Sequence, residues 1–361
     1  MQMKIIRADT YAIFIGDDAF EELALFFRNP DIRNEKIIVL VDENSKKHCL
    51  PLLKEKVELF NKATILEVKS GEENKNIQTC VEIWHYLLKV KATRKSILVN
   101  LGGGVITDMG GFVASTFKRG MRFINIPTTL LAQVDSSIGG KVGVNLFEIK
   151  NQIGVFSNPE AVFIVPAFID TLAESERLSG FAEILKHVLI MDNNYWDSIK
   201  KKSFSEITEW ENLIIRSIEI KNSVARNDPY EKSLRKRLNF GHTIGHAFES
   251  LALRKTGQQP LPHGVAVAMG IICEAYLSTK IIGLPEGARD SINDYVLANF
   301  PYYSVVKKDH IRVVEIIKHD KKHTGEGINF TLIPSIGNAL IDQYCDEKLV
   351  LESLEFYSSL S

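Results

Sequence analysis

From the amino end to about Asp170, short apolar runs alternate with longer stretches in which apolar positions return every three or four residues. The short runs are Tyr11–Gly16, Lys36–Asp42, Ala63–Val68, Ser96–Leu101, Phe123–Pro127 and Ala161–Pro166, rich in Val, Ile and Phe. Near-continuous apolar strands are buried on both faces, as in a parallel sheet, whereas a sheet with one wet face alternates apolar and polar residues. Between them, I-Q-T-C-V-E-I-W-H-Y-L-L-K (Ile77–Lys89) has the period of an amphipathic helix. The texture changes after Pro166. Helical periods run over Trp196–Ser217, Ile218–Ala225 and His263–Leu277, and the next strand-like run is I-N-F-T-L-I-P from Ile328. The pattern predicts an α/β domain with a mainly parallel sheet over residues 1–170, followed by an all-α domain over 171–361.

Composition narrows the function classes. Lys plus Arg (44) nearly balance Asp plus Glu (45), so no global field draws the chain to nucleic acid or an anionic membrane. Any cluster of cations must be local. The four cysteines, Cys49, Cys80, Cys273 and Cys345, are dispersed with no C-x-x-C pair, which points to a reducing compartment and away from a disulfide frame or a thiolate zinc site. The start M-Q-M-K-I-I-R lacks the apolar core of a signal peptide, and no apolar run is expected to reach the ~18 residues of a membrane span. The expectation is a cytoplasmic protein with neither a nucleic-acid nor a membrane partner.

Ligands of open α/β sheets sit at the carboxyl ends of the strands, and several polar motifs fall there. Leu98–Leu101 runs into Gly102-Gly103-Gly104-Val105-Ile106-Thr107-Asp108, a strand, a triple glycine and then a helix expected to start near Thr107 or Asp108. Bare backbone at a helix amino terminus suits a pyrophosphate, in a Rossmann-like arrangement although without the G-x-G-x-x-G fingerprint. Asp42 ends a strand where an acceptor for a ribose hydroxyl would stand. Ser70-Gly71-Glu72 with Lys75, and Thr128-Thr129 after Pro127, add polar groups to the same edge.

The helical half carries the candidate metal chemistry. In N-F-G-H-T-I-G-H (Asn239–His246), His242 and His246 are four apart and share one helix face; the pair could hold a metal or set one ligand beside one acid/base. F-A-E-I-L-K-H supplies Glu183, Lys186 and His187 on a helical period, and P-H-G supplies His263. A carboxylate with two imidazoles and an open fourth position is a catalytic zinc arrangement. Cations recur in motif-dense segments: Arg119, Lys141 behind Asp135-Ser136-Ser137-Ile138-Gly139-Gly140, Lys150-Asn151, Lys186, Lys221, and Arg235 ahead of Asn239. Many cations beside a divalent metal suit a small polyanion such as a phosphorylated carboxylic acid.

With those segments assembled, the chain resembles the sugar-phosphate cyclases, most closely the 3-dehydroquinate synthase family. The resemblance rests on G-G-G-V-I-T-D-M-G-G-F, F-K-R-G, P-T-T-L-L-A-Q-V-D-S-S-I-G-G-K-V-G-V-N, K-N-Q-I-G-V-F, G-F-A-E-I-L-K-H, L-N-F-G-H-T-I-G-H-A-F-E and P-H-G, in the family's order, with Asp320-Lys321-Lys322 near the carboxyl end. It implies an NAD-binding α/β domain, a helical metal- and substrate-binding domain, and a cytosolic homodimer. It further implies conversion of 3-deoxy-D-arabino-heptulosonate 7-phosphate to 3-dehydroquinate with loss of phosphate. By position, it makes Glu183, His242 and His263 the ligands of zinc or cobalt, and His246 an acid/base rather than a ligand. Asp42, Glu72, Lys75, Gly103, Gly104, Val105, Asp108, Thr128, Thr129, Leu131, Lys141, Lys150, Phe168 and Thr171 fall at the NAD+ site. Arg119, Asp135, Lys141, Asn151, Lys186, Lys221, Arg235, Asn239 and one of Lys321 or Lys322 fall at the substrate.

Two departures from the family pattern carry expectations. Thr107 replaces a glycine, so the turn there must avoid positive φ or be strained. The segment E-S-L-A-L-R-K-T-G-Q-Q-P-L-P between His246 and His263 is longer than in many relatives, and its Gly257, Pro260 and Pro262 read as a loop. The runner-up function is a metal-dependent polyol dehydrogenase of related architecture, which would release NADH. A non-catalytic NAD-binding protein would be marked by a missing ligand position, and none is missing.

Overall fold

A computed structural model describes residues 3–147, 149–253, 261–320 and 327–360 of the chain. Lys321 and Lys322, with Gly257 and Pro260, lie outside them. The chain divides into two compact units, Met1–Arg177 with Trp210–Pro229, and Leu178–Glu209 with Tyr230–Ser361.

The first unit is built on strands β1 (Lys4–Arg7), β2 (Ala12–Ile15), β3 (Ile37–Asp42), β4 (Thr64–Val68), β5 (Ile97–Gly102), β6 (Arg122–Pro127), β7 (Lys141–Leu146), β8 (Ile149–Phe156) and β9 (Ala161–Ile164). Seven of them form one sheet in the order β1-β2-β9-β6-β5-β3-β4, parallel throughout except where β1 meets β2. The pleat explains the apolar runs. Val39, Val41, Val99, Leu101 and Ile126 point to a core shared with Phe27, Phe60 and Phe163, while Ile38, Leu40, Leu98 and Phe123 point to a second core with Ile83, Leu87 and Met109. In the central strands β3, β5, β6 and β9 both faces are largely buried, so both alternate sets are mostly apolar, and the buried Asn100 and Asn125 bond to each other. β7 and β8 form a separate antiparallel hairpin, which the apolar pattern does not predict because most of β8 is exposed.

The expected helix over Trp196–Ser217 is two helices, Asn193–Ile199 and Trp210–Asn227, interrupted by a capped turn in which Ser203 and Glu206 bond reciprocally. The second of these helices corrects the domain limit at residue 171. It buries Leu213, Ile214, Ile218, Ile220 and Val224 and belongs to the first unit, where Asn222 Nδ2 donates to Arg7 O at 3.1 Å.

Among the described residues the second unit is helical apart from one hairpin, β10 (Ile328–Ser335) with β11 (Asn338–Cys345), a small addition to the all-α expectation. Helix His263–Ile282 runs through its middle, packed against helices His242–Leu253, Glu286–Asn299 and Glu347–Ser359 and against β10. By length and composition this helix is apolar enough to cross a membrane, contrary to the expectation above, and most of it is buried in the protein. A core helix covered from every side has no face to keep polar.

Candidate metal centre and nucleotide turn

In the second unit, three separate helices bring Glu183, His242 and His263 together. Glu183 sits in the buried stretch Leu178–Ile190 of helix Glu174–Met191; His242 and His263 each begin a helix. Glu183 Oε1 lies 3.2 Å from His242 Nε2 and 3.1 Å from His263 Nε2. One ligand atom from each residue falls within 4.8 Å of the others. The far ring nitrogens are held as well: His242 Nδ1 is 3.1 Å from Phe240 O, and His263 Nδ1 is 3.3 Å from Glu249 Oε2. A carbonyl only accepts, so the Phe240 contact places a proton on His242 Nδ1, and Nε2 is the nitrogen that would face a bound cation. An N₂O set of this kind fits zinc or cobalt.

Lys186 pairs with Glu183 one turn along the same helix, both side chains being buried. Burial opposes ionisation of Glu183, but the Lys186 ammonium and then His242 outweigh it and hold the carboxyl well below its usual range. Burial likewise disfavours a charged His263, yet Glu249, aided by the hydrogen bonds to Glu183 and Glu249, lifts its pKa to about 10. His246 is exposed, with its ring 5.1 Å from that of His242 and 6.0 Å from that of His263. It stands beside the trio, in an overlapping group with Glu249 and His263. Arg235 is buried, and Asn239 is half-buried in the short turn Leu234–Asn239.

The helix that begins at His242 runs through Leu253, and this puts Glu249 three residues beyond His246 on the same face. Sequence reasoning gives Glu249 no role; its signal is the i+7 spacing from His242. Glu274 is missed too. Its buried carboxylate accepts from Gly241 N at 2.6 Å and Ile244 N at 3.1 Å, a remote cap on the helix that carries His242 and His246.

In the first unit, β5 ends at Gly102 and helix Gly104–Thr116 begins with Gly103 as its N-cap, three residues before the expected start. A Cβ on Gly103 would lie 2.9 Å from Thr129 Cγ2, so a larger residue would have to displace that side chain, and the amino end of this helix is a position that suits a pyrophosphate. Thr107 lies in the first helical turn, its Oγ1 donating to Gly104 O at 3.2 Å, and is not among the positive-φ residues. The alternative of strain at Thr107 does not arise.

One turn further, Asp108 Oδ2 is 2.6 Å from Lys75 Nζ, which also donates to Asn151 Oδ1 at 2.7 Å. Burial pulls Lys75 down, but Asp108 and then Glu72 outweigh it and hold the ammonium above its ordinary value. Asn145, unassigned by sequence reasoning although it ends K-V-G-V-N, connects these groups. Its Nδ2 donates to Glu72 Oε1 at 2.9 Å, its N–H to Lys75 O at 2.9 Å, and its Oδ1 accepts from Asn151 N at 2.9 Å. Asn151 itself has φ 54°. Lys221 Nζ meets Asp135 at both Oδ1 and the backbone oxygen, each at 2.6 Å.

Other predicted positions are separate from this network. Asp42 caps helix Glu43–His48, one carboxylate oxygen accepting from Ser45 N at 2.7 Å. Thr128 N–H donates to Gly102 O at 3.0 Å, and Thr129 Oγ1 accepts from Ala132 N at 3.2 Å. Val105, Leu131 and Lys150 are half-buried, whereas Arg119, with φ 63°, and Lys141 are exposed. The Phe168 ring is in the core against Phe20, so that side chain is not presented to a ligand; its carbonyl accepts from Thr171 Oγ1 at 2.7 Å.

Residues 65–179 match the family described as 3-dehydroquinate synthase N-terminal, and residues 180–323 match its C-terminal counterpart. The 3-dehydroquinate synthase of Parabacteroides distasonis is 42% identical over 347 residues, 96% of this chain and 97% of the relative. The chain belongs to the 3-dehydroquinate synthase family. Its fold is that of a 2-deoxy-scyllo-inosose synthase crystallised with carbaglucose-6-phosphate, NAD+ and Co2+, at a TM-score of 0.85 and 24% identity over 98% of this chain and 99% of the other. A 2-epi-5-epi-valiolone synthase from Streptomyces hygroscopicus subsp. jinggangensis 5008, with NAD+ and Zn2+ bound, superposes at 0.79 with 21% identity over the whole of both chains. Like these cyclases, the chain has a parallel-dominated sheet followed by a helical region.

Proposed function

We infer that this chain converts 3-deoxy-D-arabino-heptulosonate 7-phosphate to 3-dehydroquinate and phosphate, the second step of the shikimate route to chorismate and the aromatic amino acids. It is a phosphate-eliminating carbon–oxygen lyase that uses NAD+ catalytically together with zinc or cobalt. The observation that carries the reading is the meeting of Glu183, His242 and His263 within 4.8 Å, with the outer ring nitrogens braced, in a chain of this family. The cofactors of the two similar cyclases support it.

In this reading Glu183, His242 and His263 hold the cation. The N–H groups of Gly103, Gly104 and Val105 take the pyrophosphate of NAD+, Asp42 takes a ribose hydroxyl, and Glu72, Lys75, Asp108, Thr128, Thr129, Leu131, Lys141, Lys150, Thr171 and the backbone of Phe168 complete the cofactor's surroundings. When bound, the cation polarises adjacent substrate oxygens and the dinucleotide takes up and returns a hydride. The protein's own work is mainly charge and position. Lys186 and Arg235, both buried, complement a carboxylate and a phosphate, and the family resemblance gives substrate contacts to Arg119, Asp135, Lys141, Asn151, Lys221, Asn239 and one of Lys321 or Lys322. His246, exposed beside the ligand trio, moves a proton on the phosphate side. The protein acts in the cytoplasm as a homodimer.

Phosphate release from the heptulosonate phosphate, in the presence of NAD+ and zinc and with no accumulation of NADH, is the expected result. Net NADH without phosphate release would replace this reading with the polyol dehydrogenase.

A further inference from the structure

His263 is flanked by two carboxylates. Its Nε2 faces Glu183 Oε1 at 3.1 Å and its Nδ1 faces Glu249 Oε2 at 3.3 Å. His242 is braced differently, its Nδ1 meeting the neutral carbonyl of Phe240 at 3.1 Å. Glu249 is 5% exposed, and a buried carboxylate is costly without a partner of opposite charge or a hydrogen-bond donor. It projects from the helix that begins with His242, so that one helix supplies both a candidate ligand and the group behind the next one.

We propose that Glu249 is a positioning residue for the cation site: it accepts the Nδ1–H of His263, fixes that ring's tautomer and orientation, and makes His263 a stronger donor than His242. The proposal rests on the reading of Glu183, His242 and His263 as ligands. A carboxylate behind an imidazole pulls on the Nδ1 proton and pushes electron density to Nε2, while a carbonyl does so more weakly because it carries no net charge. The two histidines are therefore unequal although both present Nε2 to the same carboxylate oxygen.

The substitution that isolates this effect is Glu249→Gln. Glutamine fills the same volume and keeps an acceptor for Nδ1–H, but it removes the charge. The protein is stripped with a chelator, and Zn2+ is titrated into wild type, E249Q, E249A and H242A in competition with a chromophoric chelator. The visible spectrum of each Co2+-loaded protein and the unfolding midpoint of each metal-free protein are recorded alongside. E249Q is expected to bind Zn2+ roughly 10- to 100-fold more weakly, with a shifted Co2+ spectrum and an unfolding midpoint near that of wild type. E249A should lose more, and if it fails to fold, E249Q carries the test.

Unchanged Zn2+ affinity and Co2+ spectrum in E249Q would overturn the proposal, since a side chain that only fills space is replaced by its isostere without effect. So would a stoichiometry of two cations per chain with E249Q losing only the weaker, because His246, Glu249 and His263 also come within ligand reach of one another and Glu249 would then be a ligand itself. If wild type binds no cation, or H242A binds as tightly as wild type, the ligand assignment fails and takes this proposal with it; that result is distinct from an insensitive E249Q beside a crippled H242A.

Discussion

Glu274 reaches from the helix that begins at His263 to the backbone N–H of Gly241, 2.6 Å away, and with its other oxygen to Ile244 N at 3.1 Å. One buried carboxylate thereby satisfies two amides at the start of the helix bearing His242 and His246. Removing it orphans both, at ~1–3 kcal/mol for each buried N–H. Glu274→Ala is expected to lower the denaturation midpoint accordingly. Glu274→Gln should cost nearly as much, because its amide nitrogen must face one of the N–H groups. Chemical denaturation of the metal-free variants measures both, and an E274Q protein as stable as wild type would show that the cap contributes nothing.

Gly270 is fixed by the same helix pair. A Cβ there would stand 1.9 Å from Gly241 O, and the atom it meets is backbone rather than a side chain that could rotate away. Gly270→Ala should force the helices apart and destabilise the protein at or above the upper end of the ~1–3 kcal/mol typical of overpacking. It should also weaken Zn2+ binding, since His242 and His263 begin the two displaced helices. Ala at this site with unchanged stability and unchanged zinc affinity would contradict the close approach.

These glycines and carboxylates mark where the sequence stops being legible. The sheet could be read because parallel strands buried on both faces must be apolar throughout, and Val39, Leu40 and Val99 leave little ambiguity. The candidate ligand trio could be assembled only through the family's motif order, since Glu183 is 80 residues from His263 and no local period joins them. Glu249, Glu274 and Asn145 escaped because their partners are fixed by packing rather than by spacing. Helix Trp210–Asn227 joins the first unit through Asn222, Lys221 and the apolar face between Leu213 and Val224, contacts that a change in texture along the chain does not reveal.

Lys75 and Asp108, 2.6 Å apart with side chains 5% and 16% exposed, form a pair whose rupture leaves a charge stranded. Lys75→Met is expected to destabilise the protein by ~3 kcal/mol, the lower end of the range for a broken buried pair, because Asp108 retains some access to water. Adding Asp108→Asn should restore part of the loss, giving a coupling of the two substitutions measurable in a double-mutant cycle. Strict additivity would mean that the two groups do not interact.

Asp342 offers a test against pH. Hydrogen bonding from Asn329 Nδ2 at 2.8 Å, followed by that from Lys236 Nζ at 2.9 Å, holds its carboxyl below the ordinary carboxylate value. A depressed folded-state pKa stabilises the protein above the unfolded value of about 4, and this contribution disappears as the pH falls through the lower folded value. Asp342→Asn should therefore cost stability at pH 7 and almost nothing in strong acid. Denaturation curves at the two pH values check the sign. A difference between variant and wild type that grows in acid would show that Asp342 is not held ionised by these neighbours.

The four cysteines are free and buried, and burial pushes each thiol up, to about 11 for Cys49, about 12 for Cys80 and Cys345, and well above the ordinary value for Cys273. Thiolate is the reactive form, so at pH 8 both access and ionisation are denied. Native protein mixed with a chromogenic disulfide reagent is expected to release almost no colour at first, while denatured protein reacts at all four positions at once. Slow labelling of the native protein should then follow opening of the fold, with Cys273, in the middle of the core helix His263–Ile282, among the last to react. Prompt labelling of Cys273 in the native state would mean that this helix is far more open to solvent than its packing requires.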